Sequence, residues 1–173
     1  MRAPSVPERV PRSMPRKLDP DAAADHLSRL YRLAWSLCGS AQLAEELTQE
    51  TYARVLSRPR QLRGASDFQY LARTLRNVMT DHWRAERRRP ETEPEVPDAV
   101  AARGTDPDVA ALAGQVYAAI AELPEPLREV AAAVDVAGMT YAEAAEALRI
   151  PPGTVMSRLF RARARLAGTL AVA

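Results

Sequence analysis

The sequence predicts an all-α protein, built as two small helical domains joined by a proline-rich acidic linker. Three observations predict it. Hydrophobic residues make up 47% of the 173 residues but aromatics only 5%, with abundant alanine and 7 glycines, so small aliphatic helices must supply the core. No run of alternating Val, Ile and Thr is long enough to propose a sheet. Between 90 and 108, Pro90, Pro94, Pro97 and Pro107 stand among acids, where neither helix nor strand persists.

The elements follow in order. Residues 1–18 hold four prolines, four arginines and one lysine with few large apolar side chains, the composition of a disordered basic arm. Asp19-Pro20 reads as a cap followed by a first-turn proline. A helix then runs to about Leu37, with Leu27, Leu30, Tyr31 and Ala34 on one face, until Gly39-Ser40 breaks it. A second helix covers Ala41 to Ser57. Ser66 and Gln69 have capping-box spacing, so a third helix starts near Asp67 and reaches about Arg88. These elements form a domain over 19–89. After the linker at 90–108, Val109, Leu112, Val116, Ile120 and Leu123 line one side of the helix that opens a second domain over 109–173.

Charge is distributed unevenly. The formal net charge is only +2. Residues 84–89 hold four arginines and one glutamate, 158–165 hold four arginines and no acid, and 91–108 hold six acids and one arginine. Blocks of opposite sign point to separate surfaces with separate partners. The lone Cys38 excludes an internal disulfide and a thiolate cluster, and it falls in a helical pattern as a small apolar residue. His26 and His82 have no second ligand at metal spacing. No paired carboxylates, nucleophile–base set or glycine-rich phosphate loop appears, so enzyme and cofactor chemistry are not expected. No apolar run suits a signal or membrane span, which makes the expected location cytoplasmic.

The last third carries the sharpest pattern. Thr140 and Glu143 have capping-box spacing, so a helix starts at Tyr141. Ile150 to Gly153, with two prolines and a glycine, supplies a turn, and Thr154 is placed to cap the next helix. On that helix Val155, Leu159, Ala162 and Leu166 fall inward. Ser157, Phe160 and Arg161 fall opposite, with Arg158 and Arg165 on one shoulder and Met156 and Arg163 on the other. An apolar back, a polar and aromatic front and flanking arginines suit a helix-turn-helix in a DNA major groove. The third helix offers a second surface. Leu71, Leu75, Val78 and His82 share one side, while Arg73, Arg76, Asn77, Thr80, Arg84 and Arg87 share the other, with Trp83 at the border. A basic helical face with an aromatic edge suits single-stranded nucleic acid.

These residues resemble a known family. Leu123-Pro124, Gly138-Met139-Thr140-Tyr141-Ala142-Glu143-Ala144-Ala145 and Gly153-Thr154-Val155-Met156-Ser157-Arg158 are similar to region four of bacterial sigma factors of the extracytoplasmic-function group. The stretch Ala44 to Tyr52 resembles that group's region-two signature, and Tyr70 to Arg89 its promoter-melting segment. Region three and the large N-terminal region of housekeeping sigma factors have no room. There are departures: Met156 stands where the family usually has lysine or arginine, Leu43 where relatives often have aspartate, and Tyr70 where many have tryptophan.

The resemblance implies roles. Glu46, Gln49 and Glu50 would dock on the β′ clamp helices of core RNA polymerase, and the β flap would be a further contact. The minus-ten element would meet Arg73, Arg76, Asn77, Thr80, Asp81, Arg84, Arg87 and Arg88, with a flipped base in the loop from Arg87 to Pro90. The minus-thirty-five duplex would meet Ser157, Arg158, Phe160, Arg161 and Arg165. The linker would thread the polymerase RNA exit path. Other partners implied are promoter DNA and an anti-sigma factor, without membrane insertion. Two alternatives stay open: a stand-alone helix-turn-helix repressor, and a sigma-like adaptor acting only through protein contacts.

Overall fold

A computed structural model describes residues 16–57, 61–62, 66–88 and 107–170. Asp19 caps the first helix, α1 (Pro20–Ala24), its carboxylate accepting from the Asp21 amide at 3.1 Å. The expected continuous helix breaks after Ala24, and α2 (Leu27–Cys38) begins anew. The cause is tertiary. The Ala23 carbonyl accepts from the Tyr52 hydroxyl at 2.6 Å and from the His26 amide at 3.0 Å, so the α-helical ladder does not continue. The break re-aims the next turn, and Leu27 is 51% exposed rather than on the core face, which is made by Leu30, Leu33, Ala34 and Leu37.

Gly39 ends α2 in a left-handed conformation at φ 76°. A Cβ there would lie 3.0 Å from the Ala121 Cβ, so close approach as well as backbone geometry requires glycine. Ser40 starts α3 (Ala41–Ser57), its hydroxyl accepting from the Leu43 amide at 3.2 Å. Thr48 and Thr51 are buried on α3 because each hydroxyl donates one turn back, to Ala44 and Leu47. The predicted capping box is present at the start of α4 (Asp67–Glu86), whose buried stripe is Phe68, Leu71, Leu75, Val78 and Met79.

The arm expected over 1–18 lies outside the described residues up to residue 15. Its last residues belong to the fold: β1 (Arg16–Lys17) pairs antiparallel with β2 (Gln61–Leu62), and Leu18 is buried. Of the linker expected over 90–108, residues 90–106 also lie outside the described residues, and Pro107 and Asp108 are already helical.

The second half runs α5 (Pro107–Ala121), α6 (Glu125–Ala131), a π-turn (Ala132–Val136), α7 (Tyr141–Leu148) and α8 (Pro152–Leu170). On α5 the expected core side holds at Ile120 and at the following Leu123, but Leu112 is 62% exposed. After the π-turn, Gly138 at φ 64° turns the chain so that the Met139 amide reaches the Ala133 carbonyl at 3.0 Å. The Thr140–Glu143 capping box opens α7 as predicted. Thr154, by contrast, is not a cap. The Arg149 backbone ends α7 in the left-handed region, the turn is Arg149-Ile150-Pro151, and α8 begins at Pro152. Pro152 suits a first helical position because it lacks the amide that position leaves unpaired, and the Thr154 amide bonds the Pro151 carbonyl instead.

Both halves share one apolar core. Helix α2 lies between α3 and α4 on one side and α5 and the π-turn on the other. Trp35 of α2 packs edge-on against Tyr117 of α5, ring centroids 5.0 Å apart. The Arg29 guanidinium sits 3.7 Å above the Phe68 ring centroid while its Nε donates to the Ala137 carbonyl, spanning α2, α4 and the end of the π-turn. Burial lowers the Arg29 pKa, against the opposing effect of Glu143.

Candidate nucleic-acid interface

Helix α8 is held from behind. Val155, Leu159 and Ala162 are buried and Leu166 is partly so, as periodicity demands. That leaves Ser157, Phe160 and Arg161 exposed on the outer side, Phe160 at 76%. Arg158, Arg161 and Arg165 line an open cleft with Pro124, Pro126 and Leu127 at the start of α6. Three fixed cations on one rim of an exposed helix make an anion-facing edge. The other shoulder is different. Arg163 makes a two-point pair with Asp135 of the π-turn, at 2.6 and 3.2 Å, and this hydrogen bonding raises its pKa. Its charge is therefore matched within the fold, which the helical wheel does not reveal.

Helix α4 is divided. Toward its N-terminus, Arg73 approaches Glu146 of α7 at 3.6 Å, and Arg76 Nε bonds Glu129 of α6 at 2.7 Å. Arg73 Nε is buried without a hydrogen-bond partner. Two of the candidate minus-ten arginines thus face the second half of the chain. Toward the C-terminus, Asn77, Arg84, Arg87 and Arg88 are exposed. The Thr80 hydroxyl is half-buried and donates to the Arg76 carbonyl at 2.8 Å. Trp83 is partly buried against the core. Of the loop from Arg87 to Pro90, expected to receive a flipped base, only Arg87 and Arg88 lie within the described residues.

Glu46, Gln49 and Glu50 are all exposed on the outer side of α3, opposite Ala44, Leu47, Thr48 and Thr51. Here the structure adds a residue that the sequence does not single out. Arg54 bonds Glu50 at 2.6 Å and Asp81 of α4 at 2.8 Å, and these bonds, Asp81 first, raise its pKa. A candidate protein-docking carboxylate and a candidate DNA-side carboxylate therefore share one arginine. The spacing of Glu50 and Arg54 was the available signal. All three side chains are largely exposed, so the chain of contacts orients them more than it stabilises the fold.

Among the described residues no group of His, Cys, Asp and Glu could hold a metal ion, and no helix is long and apolar enough to cross a membrane. Cys38 is partly buried, its thiol donating to the Ser40 carbonyl at 3.2 Å, and burial pushes its pKa up. It is placed for packing, not for reaction.

Comparison with known proteins agrees with this layout. Residues 23–89 match Sigma-70 region 2, and residues 113–166 match Sigma-70, region 4. The chain is 34% identical over 151 residues to the ECF RNA polymerase sigma factor SigE of Mycolicibacterium smegmatis, covering 84% of this chain but spanning only 59% of that relative's length. It is 32% identical over 150 residues to the ECF RNA polymerase sigma factor EcfG of Rhodopseudomonas palustris, covering 83% of this chain and 80% of that one. The fold is similar to that of the sigma factor RpoE of Bartonella quintana, solved with the anti-sigma factor NepR, with a TM-score of 0.71, 24% identity and coverage of 88% and 96% of the two chains. With both sigma-70 regions present in order, on helices whose exposed sides carry the polar and cationic residues, the chain belongs to the extracytoplasmic-function sigma factors.

Proposed function

We propose that this chain directs promoter-specific initiation by core RNA polymerase and does no catalysis of its own. In this reading residues 19–89 bind the polymerase and the minus-ten element, and residues 109–173 bind the minus-thirty-five duplex and the β flap, with the linker at 90–108 threading the RNA exit path. Glu46, Gln49 and Glu50 meet the β′ clamp helices. Ser157, Phe160 and Arg161 face the bases of the major groove, while Arg158 and Arg165 lie along a phosphate strand. Asn77, Thr80, Asp81, Arg84, Arg87 and Arg88 take unstacked minus-ten bases, so that binding offsets a melting cost of a few kcal/mol per base. Arg73 and Arg76 join them only after leaving Glu146 and Glu129. The protein acts in the cytoplasm, without a cofactor. As in the Bartonella structure, an anti-sigma factor is its antagonist.

One observation carries this reading: two exposed cationic helical faces, on α4 and on α8, occur in one chain beside an acidic face on α3. A stand-alone repressor needs only the α8 face. Run-off transcription from genomic fragments, with core polymerase and with or without the chain, tests it. Promoter-specific transcripts that depend on the chain are expected. Tight duplex binding without polymerase and no transcripts would favour a repressor, and polymerase binding without transcripts an adaptor.

Two predictions divide the sites. Reversing Glu46 and Glu50 together to lysine should weaken core binding by about tenfold or more, since like charge against a complementary face costs several kcal/mol. Helix content should stay unchanged, because what the substitutions break inside the chain is the exposed Glu50–Arg54 pair, which adds little stability. Equal core affinity of the variant and the parent would remove the α3 assignment. Asn77→Ala should slow open-complex formation by about two- to tenfold, the effect of one hydrogen bond, while sparing duplex binding. Equal loss in both assays would point to general phosphate attraction at α4.

A further inference from the structure

The outer side of α8 is not uniformly cationic. Gly153, Met156, Phe160 and Ala164 follow one another along it at intervals of three and four residues, all exposed, and none carries charge. Met156 is 55% exposed and Phe160 76%. A Cβ on Gly153 would meet nothing within 4 Å, so the helix start beside the ridge is open to a close-lying partner. On one flank stand Ser157, Arg161 and Arg165. On the other stands Arg163, whose charge Asp135 already matches. The result is an apolar ridge flanked on one side by arginines and on the other by a neutralised pair.

The partner must accept both features. Single exposed apolar side chains are common on protein surfaces, but two large ones a turn apart, beside a row of exposed arginines, form a composite surface. Duplex DNA offers its complement. Phosphates match the arginine rim, and the major groove presents one distinctive apolar feature, the 5-methyl group of thymine. Resting on the reading of α8 as a duplex reader, we propose that Met156 and Phe160 recognise thymine methyl groups, so that the duplex element bound by α8 carries thymine at the base pairs facing these two side chains. Met156 and Phe160 are about 6 Å apart along the helix axis, which spans nearly two base-pair steps of roughly 3.4 Å. Two thymines within about two steps of one another are therefore within reach. The flexible thioether adapts its fit, and the ring presents a broad apolar surface. Ser157 and Arg161, on the adjacent edge, supply hydrogen bonds to the neighbouring bases.

The test uses the full chain bound to core polymerase. A duplex site is first selected from minus-thirty-five sequences randomised in an otherwise fixed promoter. Each thymine in the selected site is then replaced by deoxyuridine, which removes only the 5-methyl group. Replacement at two positions should each weaken binding about fourfold, the effect of one buried methyl-sized group. The loss at one position should disappear in Met156→Ala, and at the other in Phe160→Ala. Both side chains are exposed, so the variants should keep the parent's circular dichroism and melting temperature. A well-defined selected site with no thymine, or with deoxyuridine tolerated at every position, would overturn methyl recognition while leaving α8 as a duplex reader. No preferred sequence for the parent, together with unchanged binding by Arg161→Ala, would overturn the duplex reading itself and point to a protein partner for the ridge.

Discussion

Leu30→Ala should cost about 2–5 kcal/mol, the usual range for deleting a leucine side chain from a packed core. Leu30 is fully buried in the first turn of α2, the helix that touches elements of both halves. For a chain of this size each kcal/mol shifts the melting temperature by about 2–4 °C, so a fall of roughly 5–20 °C is expected. Leu27→Ala is the control. It removes the same atoms three residues earlier, from a half-exposed side chain, and should change stability by less than about 0.5 kcal/mol. The contrast tests the break between α1 and α2, since a continuous helix would place the two leucines on one buried face. Similar losses for both variants would mean that α2 has a different register.

Glu129→Lys should separate the two halves. Glu129 is the more buried partner of its pair with Arg76, with a side chain 16% exposed against 42% for the arginine. Lysine there places like charge against Arg76, and leaves the arginine without its acceptor. Losing the partner of a charged, partly buried group costs about 1–3 kcal/mol, reduced here because Arg76 reaches solvent. The separated population should rise about two- to tenfold, the equivalent of roughly 0.5–1.5 kcal/mol. Small-angle scattering should show a larger radius of gyration, and amides of α7 and the π-turn should exchange faster while those of α3 do not. Combining Glu129→Arg with Arg76→Glu restores an opposite pair and should restore the compact form. An unchanged radius of gyration in Glu129→Lys would show that apolar packing around Trp35 and Tyr117 holds the halves together without the ion pair.

The candidate sites were legible to different degrees. The inward stripe of α8 and its outward Ser157, Phe160 and Arg161 follow from helical periodicity, because burial of one side requires exposure of the other. The outer face of α3 with Glu46, Gln49 and Glu50 follows in the same way. The face of α4 was only half legible. Periodicity groups Arg73 and Arg76 with Asn77 and Arg84, yet it carries no information on which neighbouring helix covers a turn. The acids that meet them, Glu146 and Glu129, lie far along the chain, the latter 53 residues from Arg76. Arg54 escapes a reading of the sequence for a related reason. Its partner Glu50 is one turn away and readable, but Asp81 is 27 residues away.

The sequence by itself determined the all-α class, the extents of α3, α4 and α7, the capping boxes at Ser66 and Thr140, and the glycine stop at Gly39. Each rests on contacts within a few residues, where side-chain chemistry and helical spacing are sufficient causes. Only the tertiary structure decided the rest: the break after Ala24, the β pairing that carries Leu18 into the core, the bridge from Arg29 to Ala137 across 108 residues, and the joining of two sigma regions around one apolar core. These depend on which surfaces meet. A helical pattern specifies that an apolar face must be covered, but the partner that covers it is chosen by shape and charge matching over the whole chain.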